Sequence, residues 1–228
     1  MDPALVKEDR GVTLRLMLLP AVLLFVSSDT SPSYSSDELG IVRIKAVISE
    51  NTDAYFTGAH IGGGWILTCG HCCESKSRSV QVRILSRQTR TAVRSVKGVI
   101  VCHDSAADIG FIRLERHHGL RTAYKLAPRN FSLDAYDEVV AFDWRDRLGQ
   151  EQLYSINRRI TGINVYVAPD NIETAGMPKD GASGGPLILA GSGRIVGVTT
   201  AANVDDGRGI HTGLRPIYRL LERCQRDQ

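Results

Sequence analysis

The sequence predicts an all-β fold of antiparallel sheets closed by one C-terminal helix. Three observations carry that expectation. Short runs of alternating apolar and polar residues recur along the chain, broken by Gly, Asp and Ser, as in the half-buried strands of antiparallel barrels or sandwiches. Glycine fills 22 of 228 positions, above the usual share of about 7%, which suits a turn-rich β-protein better than a helical bundle. A single stretch near the end, Ile217, Leu220, Leu221 and Cys224, has the i, i+3, i+4, i+7 spacing of one helix face.

In chain order, the first strand is Ile41–Ser49, where Val42, Ile44, Ala46 and Ile48 share one face and Arg43 and Lys45 the other. An apolar strand beginning at Trp65 runs into the small residues that precede His71. Residues 80–87 repeat the alternation, with Val82 and Ile84 opposite Arg83 and Arg87. Further strands are expected at 93–101, 109–114, 139–142, 154–163, 186–189 and 195–200. The closing helix sets Arg219, Glu222 and Arg223 against its apolar stripe. Thr212 or Gly213 is placed to cap its start, and Pro216 is tolerated in a first turn.

Composition excludes several classes. Apolar residues are 43% and charged residues 23%, an ordinary globular balance and not that of a disordered chain. A net charge of +3 is too weak to make nucleic acid the main partner. At the N-terminus the run Leu16–Val26 follows Arg10 and Arg15. It is short for a membrane span but fits the core of a signal peptide. Residues 1–28 are therefore expected to be a signal peptide or short membrane anchor, which places the protein outside the cytoplasm, secreted or periplasmic. Residues 29–39 continue a Ser-rich stretch that reads as a linker, and the folded domain is expected over 40–228.

The chemistry concentrates in three segments. Asp180-Gly181-Ala182-Ser183-Gly184-Gly185-Pro186-Leu187 holds a Ser in a tight glycine turn that leads directly into an apolar strand. Such a turn lets the N–H groups of Ser183 and Gly181 converge as donors for a developing oxyanion, and glycine at 181 admits the unusual dihedral angles this needs. Trp65-Ile66-Leu67-Thr68-Cys69-Gly70-His71-Cys72 ends a buried strand on a His with room to face a cleft. Ala107-Asp108-Ile109-Gly110-Phe111-Ile112-Arg113-Leu114 heads another apolar strand with an Asp able to accept a hydrogen bond from a His.

Together these segments resemble the chymotrypsin/trypsin-like serine peptidases, in the family's order of His, Asp and Ser. The resemblance covers about residues 40–228. It implies two antiparallel six-stranded β-barrels, with the active site between them and the C-terminal helix at the end. Carried over residue by residue, Ser183 is the nucleophile, His71 the general base and Asp108 the group that orients it. The backbone N–H groups of Gly181 and Ser183 form the oxyanion hole. Asp104 is the alternative orienting carboxylate. The implied reaction is hydrolysis of peptide bonds in protein or peptide substrates, without a cofactor.

The departures from the digestive members are informative. They carry an Asp before the nucleophile that pairs with a new N-terminal amine after activation cleavage. Ala182 stands there in this chain, as in the short bacterial, Deg-like members, so activation by cleavage is not expected. The residue six before Ser183, at the base of the family's pocket, is Met177. Thr199 stands on the wall strand where glutamate-specific relatives use a His, Ala201 follows on that strand, and His211 lies near it. This neutral set implies small or medium apolar residues at the cleavage position. Asp170, Glu173, Asp180 and Lys179 lie close by in sequence.

Five cysteines leave other readings open. Cys69, His71, Cys72 and Cys73, with Cys102 and His103, have the residue types of a structural zinc site. The triad, however, claims His71, and no metal is expected. A disulfide between two of the cysteines is expected, its pairing not deducible from sequence. Cys224, on the apolar helix face, reads as a buried free thiol, and Cys72 lacks the family's usual upstream partner. His117 and His118 read as solvated turn residues. The remaining alternative is an inactive trypsin-fold binding protein.

Overall fold

A computed structural model describes residues 40–227, apart from 50–51, 87–88, 116–119, 121–122, 148–149 and 166–169. The readings made for residues 1–39 and for His117 and His118 lie outside the described residues.

Strands β1 (Ile41–Ser49), β2 (Thr52–Gly62), β3 (Trp65–Thr68), β4 (Ser79–Leu85), β5 (Ala92–Asp104) and β6 (Ile109–Leu114) close into one antiparallel barrel, in the order β1-β2-β3-β6-β5-β4. Strands β7 (Glu138–Arg147), β8 (Gln150–Ile163), β9 (Asn171–Ala175), β10 (Pro186–Leu189), β11 (Ile195–Asn203) and β12 (Arg208–Thr212) close a second, ordered β10-β11-β12-β9-β8-β7. The expected pair of six-stranded barrels is thus present. Closing each sheet on itself leaves no free edge to pair with another chain.

Each barrel has its own core. Val42, Ile44, Ile66, Val82 and Ile112 fill the first, and Val139, Ala141, Ile160, Leu187 and Val196 fill the second. A third cluster joins Ile41, Leu67 and Phe111 to Phe142, Trp144 and Ile188, and continues to Ile217 and Leu220 of the helix. That third layer explains a difference from the sequence reading. On β1, Arg43 occupies the face opposite Val42 and Ile44, where alternation suggests solvent. The second barrel covers that face, and Arg43 is only 4% exposed.

Three strands absent from the expected set, β2, β9 and β12, carry buried polar residues. Thr57 and His60 are buried on β2, Asn171, Glu173 and Thr174 on β9, and His211 and Thr212 on β12. Hydrogen bonds rather than apolar alternation settle these side chains in the interior, so a hydropathy pattern does not reveal the strands. β7 and β8 extend well beyond their expected cores and pair along all of β7, from Glu138 with Arg159 to Arg147 with Gln150. This long hairpin carries Glu151 to the neighbourhood of Arg43.

The helix α1 spans Leu214–Arg226 with Gly213 at its N-cap. Thr212 does not cap it, because its hydroxyl donates to the Ala107 carbonyl oxygen at 2.6 Å. The Asp170 carboxylate instead accepts from the Arg215 N–H at 2.7 Å, satisfying a first-turn donor at the positive end of the helix. Cys224 is not a free thiol. The buried helix face packs on the first barrel and sets Cys224 beside Cys102 of β5, and the two form a disulfide across 122 residues of sequence. In the chain-entropy account, a crosslink over so long a loop is among the more stabilising kinds, worth about 2–5 kcal/mol. No helix among the described residues is long and apolar enough to cross a membrane.

Candidate active site

The site lies where the end of β3, the start of β6 and the turn before β10 meet at the seam of the barrels. Cys69 and Gly70 follow β3, and the chain turns into a short 3-10 helix, His71–Cys73. Asp108, immediately before β6, adopts a left-handed backbone with φ of 50°, a conformation that Asp tolerates better than most residues. Its carboxylate meets His71 twice. Oδ1 accepts from the His71 backbone N–H at 2.7 Å, and Nδ1 lies 2.9 Å from both oxygens. With the carboxylate there, Nδ1 carries a proton and Nε2 is left to act as a base. The hydrogen bond to Asp108 raises the His71 pKa above its ordinary value of 6.5, against a smaller lowering by burial. Asp104 makes a turn of its own, accepting from the Ala106 and Ala107 N–H groups at 3.1 Å each.

Ser183 sits half-buried in a turn pinned from both barrels. Its carbonyl oxygen accepts from the Thr57 N–H at 2.8 Å, and the Gly184 N–H donates to the Thr199 carbonyl oxygen at 2.7 Å. Gly181 and Gly184 have φ of 79° and 83°. A side chain at 184 would also collide with the Thr57 carbonyl and the Thr68 hydroxyl. Among the described residues, neither the Gly181 nor the Ser183 N–H has an acceptor, so both donors are unspent. Nor does any hydrogen bond among them join Ser183 to His71. His71 Nε2 instead lies 3.5 Å from Cys69 Sγ. Catalytic hydrogen bonds of this kind are often long in a free enzyme and tighten with substrate.

Sequence reasoning missed what holds this turn. Arg43 Nη1 donates to the Gly181 carbonyl oxygen at 3.0 Å, and the Thr57 hydroxyl donates to the same oxygen at 2.6 Å. The Trp144 indole N–H donates in turn to Thr57 Oγ1 at 2.7 Å. Arg43 also pairs with Glu151 at 2.6 Å and lies over the Trp144 ring, 4.4 Å from its centroid. Burial lowers its pKa, with the Glu151 hydrogen bond opposing. The available signal was a lone Arg in the strand that opens the domain, but alternation alone assigns it to solvent.

The proposed pocket residues are not drawn together into one open cleft. Thr199 and His211 are buried, and the His211 ring bonds to the Thr199 and Thr174 hydroxyls at 3.1 and 2.9 Å. Burial, with the nearby Arg158 cation, drives the His211 pKa down to about 3. Met177 is 48% exposed, and its carbonyl oxygen accepts from Arg158 at 3.1 Å. Ala201 is exposed. Arg158 also donates to the carbonyl oxygens of Ala175 and Gly176 and pairs with the buried Asp143.

Cys69 and Cys72 form a second disulfide, on either side of His71 in sequence. Cys73 is the free cysteine, buried, with its thiol pKa pushed up to about 12 by desolvation. At that value it is neither a nucleophile nor a ready metal ligand.

Two six-stranded barrels with a His, a carboxylate and a Ser turn at their seam define the chymotrypsin class of serine-protease folds. The chain belongs to the trypsin-like peptidase domain family, whose model matches residues 56–198. It is similar in fold to the active form of the Rv3671c protease from M. tuberculosis, at 19% identity and a TM-score of 0.66, covering 84% of this chain and 83% of that one. It is similar as well to the serine endoprotease from Yersinia pestis, at 18% identity and a TM-score of 0.66, covering 86% of this chain and 68% of that one. No curated protein matches it in sequence.

Proposed function

We propose that the protein is a serine endopeptidase that hydrolyses peptide bonds through an acyl-enzyme on Ser183. The observation that carries this reading is the double contact of Asp108 with His71, set beside a Ser turn whose Gly181 and Ser183 N–H groups are unspent. Ser183 Oγ attacks the scissile carbonyl carbon as His71 Nε2 takes its proton. The carbonyl oxygen becomes an oxyanion, stabilised by the two N–H groups. Asp108 stabilises the imidazolium, which then gives the proton to the leaving amine. Water repeats the sequence in reverse and frees the carboxylic acid.

This chemistry uses protein or peptide substrates and needs neither a cofactor nor nucleic acid. Export to an extracytoplasmic compartment is part of the proposal. Two disulfides, Cys69–Cys72 and Cys102–Cys224, suit an oxidising environment.

The test is labelling by a serine-directed fluorophosphonate, paired with hydrolysis of a casein or peptide-library substrate. Wild type should label and cleave. Ser183→Ala should do neither, with turnover down by on the order of a million-fold and a nearly unchanged thermal midpoint. Persistent cleavage by that variant would remove Ser183 from the role of nucleophile. Failure of the folded wild type to label would leave a trypsin-fold binding protein.

A further inference from the structure

Cys69 Sγ, His71 and Cys72 Sγ present ligand atoms that all lie within 4.8 Å of one another. We propose that, when the Cys69–Cys72 disulfide is reduced, these three side chains form an inhibitory site for a thiophilic divalent cation, Zn²⁺ by preference. Occupation silences the peptidase by consuming its general base. The inhibitory half of this proposal rests on the peptidase reading, whereas the binding half does not.

Geometry supports the donor set. A tetrahedral zinc with Zn–S of about 2.3 Å and Zn–N of about 2.0–2.1 Å places sulfur and nitrogen ligands about 3.6 Å apart. Cys69 Sγ and His71 Nε2 lie 3.5 Å apart before any metal is present. The Cα atoms of Cys69 and Cys72 are 5.4 Å apart, so freeing the sulfurs to move to about 3.8 Å asks only for side-chain rotation. His71 Nδ1 already faces the Asp108 carboxylate, the outer partner that metal-bound histidines usually keep. Cys69 and Cys72 are fully buried, whereas the His71 side chain is 39% exposed. A cation can therefore enter over the imidazole and keep water as a fourth ligand. Two thiolates and one imidazole suit Zn²⁺ and disfavour Mg²⁺ and Ca²⁺, which prefer oxygen.

The chemistry balances with an external dithiol–disulfide couple as its redox partner. A dithiol reductant gives two electrons and two protons to the disulfide and is itself oxidised to a disulfide, leaving Cys69 and Cys72 as thiols. Zn²⁺ then displaces both thiol protons to solvent, forming two Zn–S bonds and one Zn–N bond. Nε2 cannot hold the metal and accept the Ser183 proton together. A disulfide oxidant that takes two electrons from the two thiolates, and is itself reduced to a dithiol, re-forms the Cys69–Cys72 bond, expels the cation and restores the base. With Ala182 where the digestive enzymes keep their activation carboxylate, the chain has at this site a way to stay silent in a reducing compartment that needs no cleavage.

The test uses the full chain, oxidised or reduced with a phosphine under anaerobic conditions, and Co²⁺ as a spectroscopic stand-in for Zn²⁺. The reduced protein should take up one equivalent of Co²⁺ with thiolate-to-cobalt charge-transfer absorption, which Zn²⁺ abolishes. The oxidised protein should show no such band. Cys69→Ser should lose most of the band, while Cys224→Ser should keep it, which separates the site from the second reduced disulfide. In parallel, one equivalent of Zn²⁺ should slow fluorophosphonate labelling of the reduced protein at least tenfold, with recovery on chelation. The oxidised–reduced comparison needs no variant and so stands even if Cys69→Ser does not fold. Absence of the band from the reduced protein, or a band of equal strength in the oxidised one, overturns the site whether or not Ser183 labels. A band with no labelling under any condition supports the site and overturns the peptidase reading instead.

Discussion

The Arg43 guanidinium donates to the carbonyl oxygen of Gly181 at 3.0 Å, a contact that runs from the first strand of one barrel to the Ser183 turn of the other. It fixes the Gly181–Ala182 peptide plane, whose N–H donates to the Lys179 carbonyl oxygen at 3.0 Å, and so anchors the chain between the Gly181 and Ser183 N–H groups. A carbonyl held by both Arg43 and Thr57 resists displacement of the peptide that links the two flanking N–H donors. In digestive relatives a new N-terminal amine orders this turn after cleavage. Here a cation belonging to β1 is in place from the outset.

Replacing Arg43 by Met should therefore lower kcat more than it raises KM. Losing an oxyanion donor outright costs roughly 100- to 1,000-fold, so loosening its support should cost about 10- to 100-fold. Arg43→Lys should rescue little, because an ammonium lacks the planar fork that serves Gly181 and Glu151 together. Steady-state kinetics on one peptide substrate decide the matter, and a kcat equal to wild type would remove Arg43 from this role. By the same argument, extra residues placed ahead of Gly40 should leave the protein active.

Asp108 and Asp104 are four residues apart, yet only Asp108 reaches His71. Asp108→Asn should lower turnover by about 10,000-fold through the wrong His tautomer, whereas Asp104→Asn should act only on the local turn. The pH profile carries a second signature. His71 must be neutral to act as a base, so activity falls as the pH drops through its pKa. The hydrogen bond to Asp108 raises that pKa, which places the acidic limb of kcat/KM above 6.5 in wild type. In Asp108→Asn the residual activity should persist to lower pH. A limb unmoved by that substitution would assign it to a different group.

Much of the fold was legible because apolar alternation records it directly. β1, β6 and β10 fall where the pattern places them, and the stripe of Ile217, Leu220 and Cys224 faces the interior. The strands that escaped notice bury Thr57, Glu173 or His211, whose place depends on partners distant in sequence. The fate of Cys224 was hidden for the same reason. Nothing local in residues 217–224 says that Cys102 waits across the interface, and the helix face alone is equally consistent with a packed thiol. His71, Asp108 and Ser183 were visible because they lie in motifs that follow the family's order, while the Arg43 contact was not, because it exists only once two barrels meet.

His211 gives the stability an acid-sensitive component. Its folded pKa is about 3 against 6.5 for the unfolded chain, so between those values the unfolded state binds a proton that the folded state refuses. Stability is whole above pH 6.5 and is lost as the pH falls, at no more than about 1.4 kcal/mol per pH unit from this residue. His71, with a raised pKa, acts in the opposite sense, since its protonated form favours the fold. The comparison with His211→Gln, whose amide can still meet the threonine hydroxyls, isolates the effect. Thermal midpoints between pH 6.5 and 5 should fall less steeply in the variant, and parallel slopes would show that His211 is not the group responsible.

Specificity should follow from which charges near the Ser turn are already committed. Glu173 is buried and spent on Thr161 and Arg208, and Asp170 caps the helix at Arg215. Neither carboxylate is free to meet a substrate Lys or Arg. On the cationic side, Arg158 is held by the Ala175, Gly176 and Met177 carbonyl oxygens and by Asp143, and His211 stays neutral down to about pH 3. A substrate Glu therefore meets no spare positive group from these residues, and burying an unpaired charge costs several kcal/mol. Cleavage after small or medium apolar residues is the expected outcome when the purified protein is profiled on a peptide library. A dominant preference for Lys or Arg would point to the exposed Asp180 or require Glu173 or Asp170 to leave its present partner, which Asp180→Asn, Glu173→Gln and Asp170→Asn would then expose. A dominant preference for Glu would point to the exposed Lys179 or require Arg158 to turn towards the substrate, and Lys179→Met and Arg158→Met would tell the two apart.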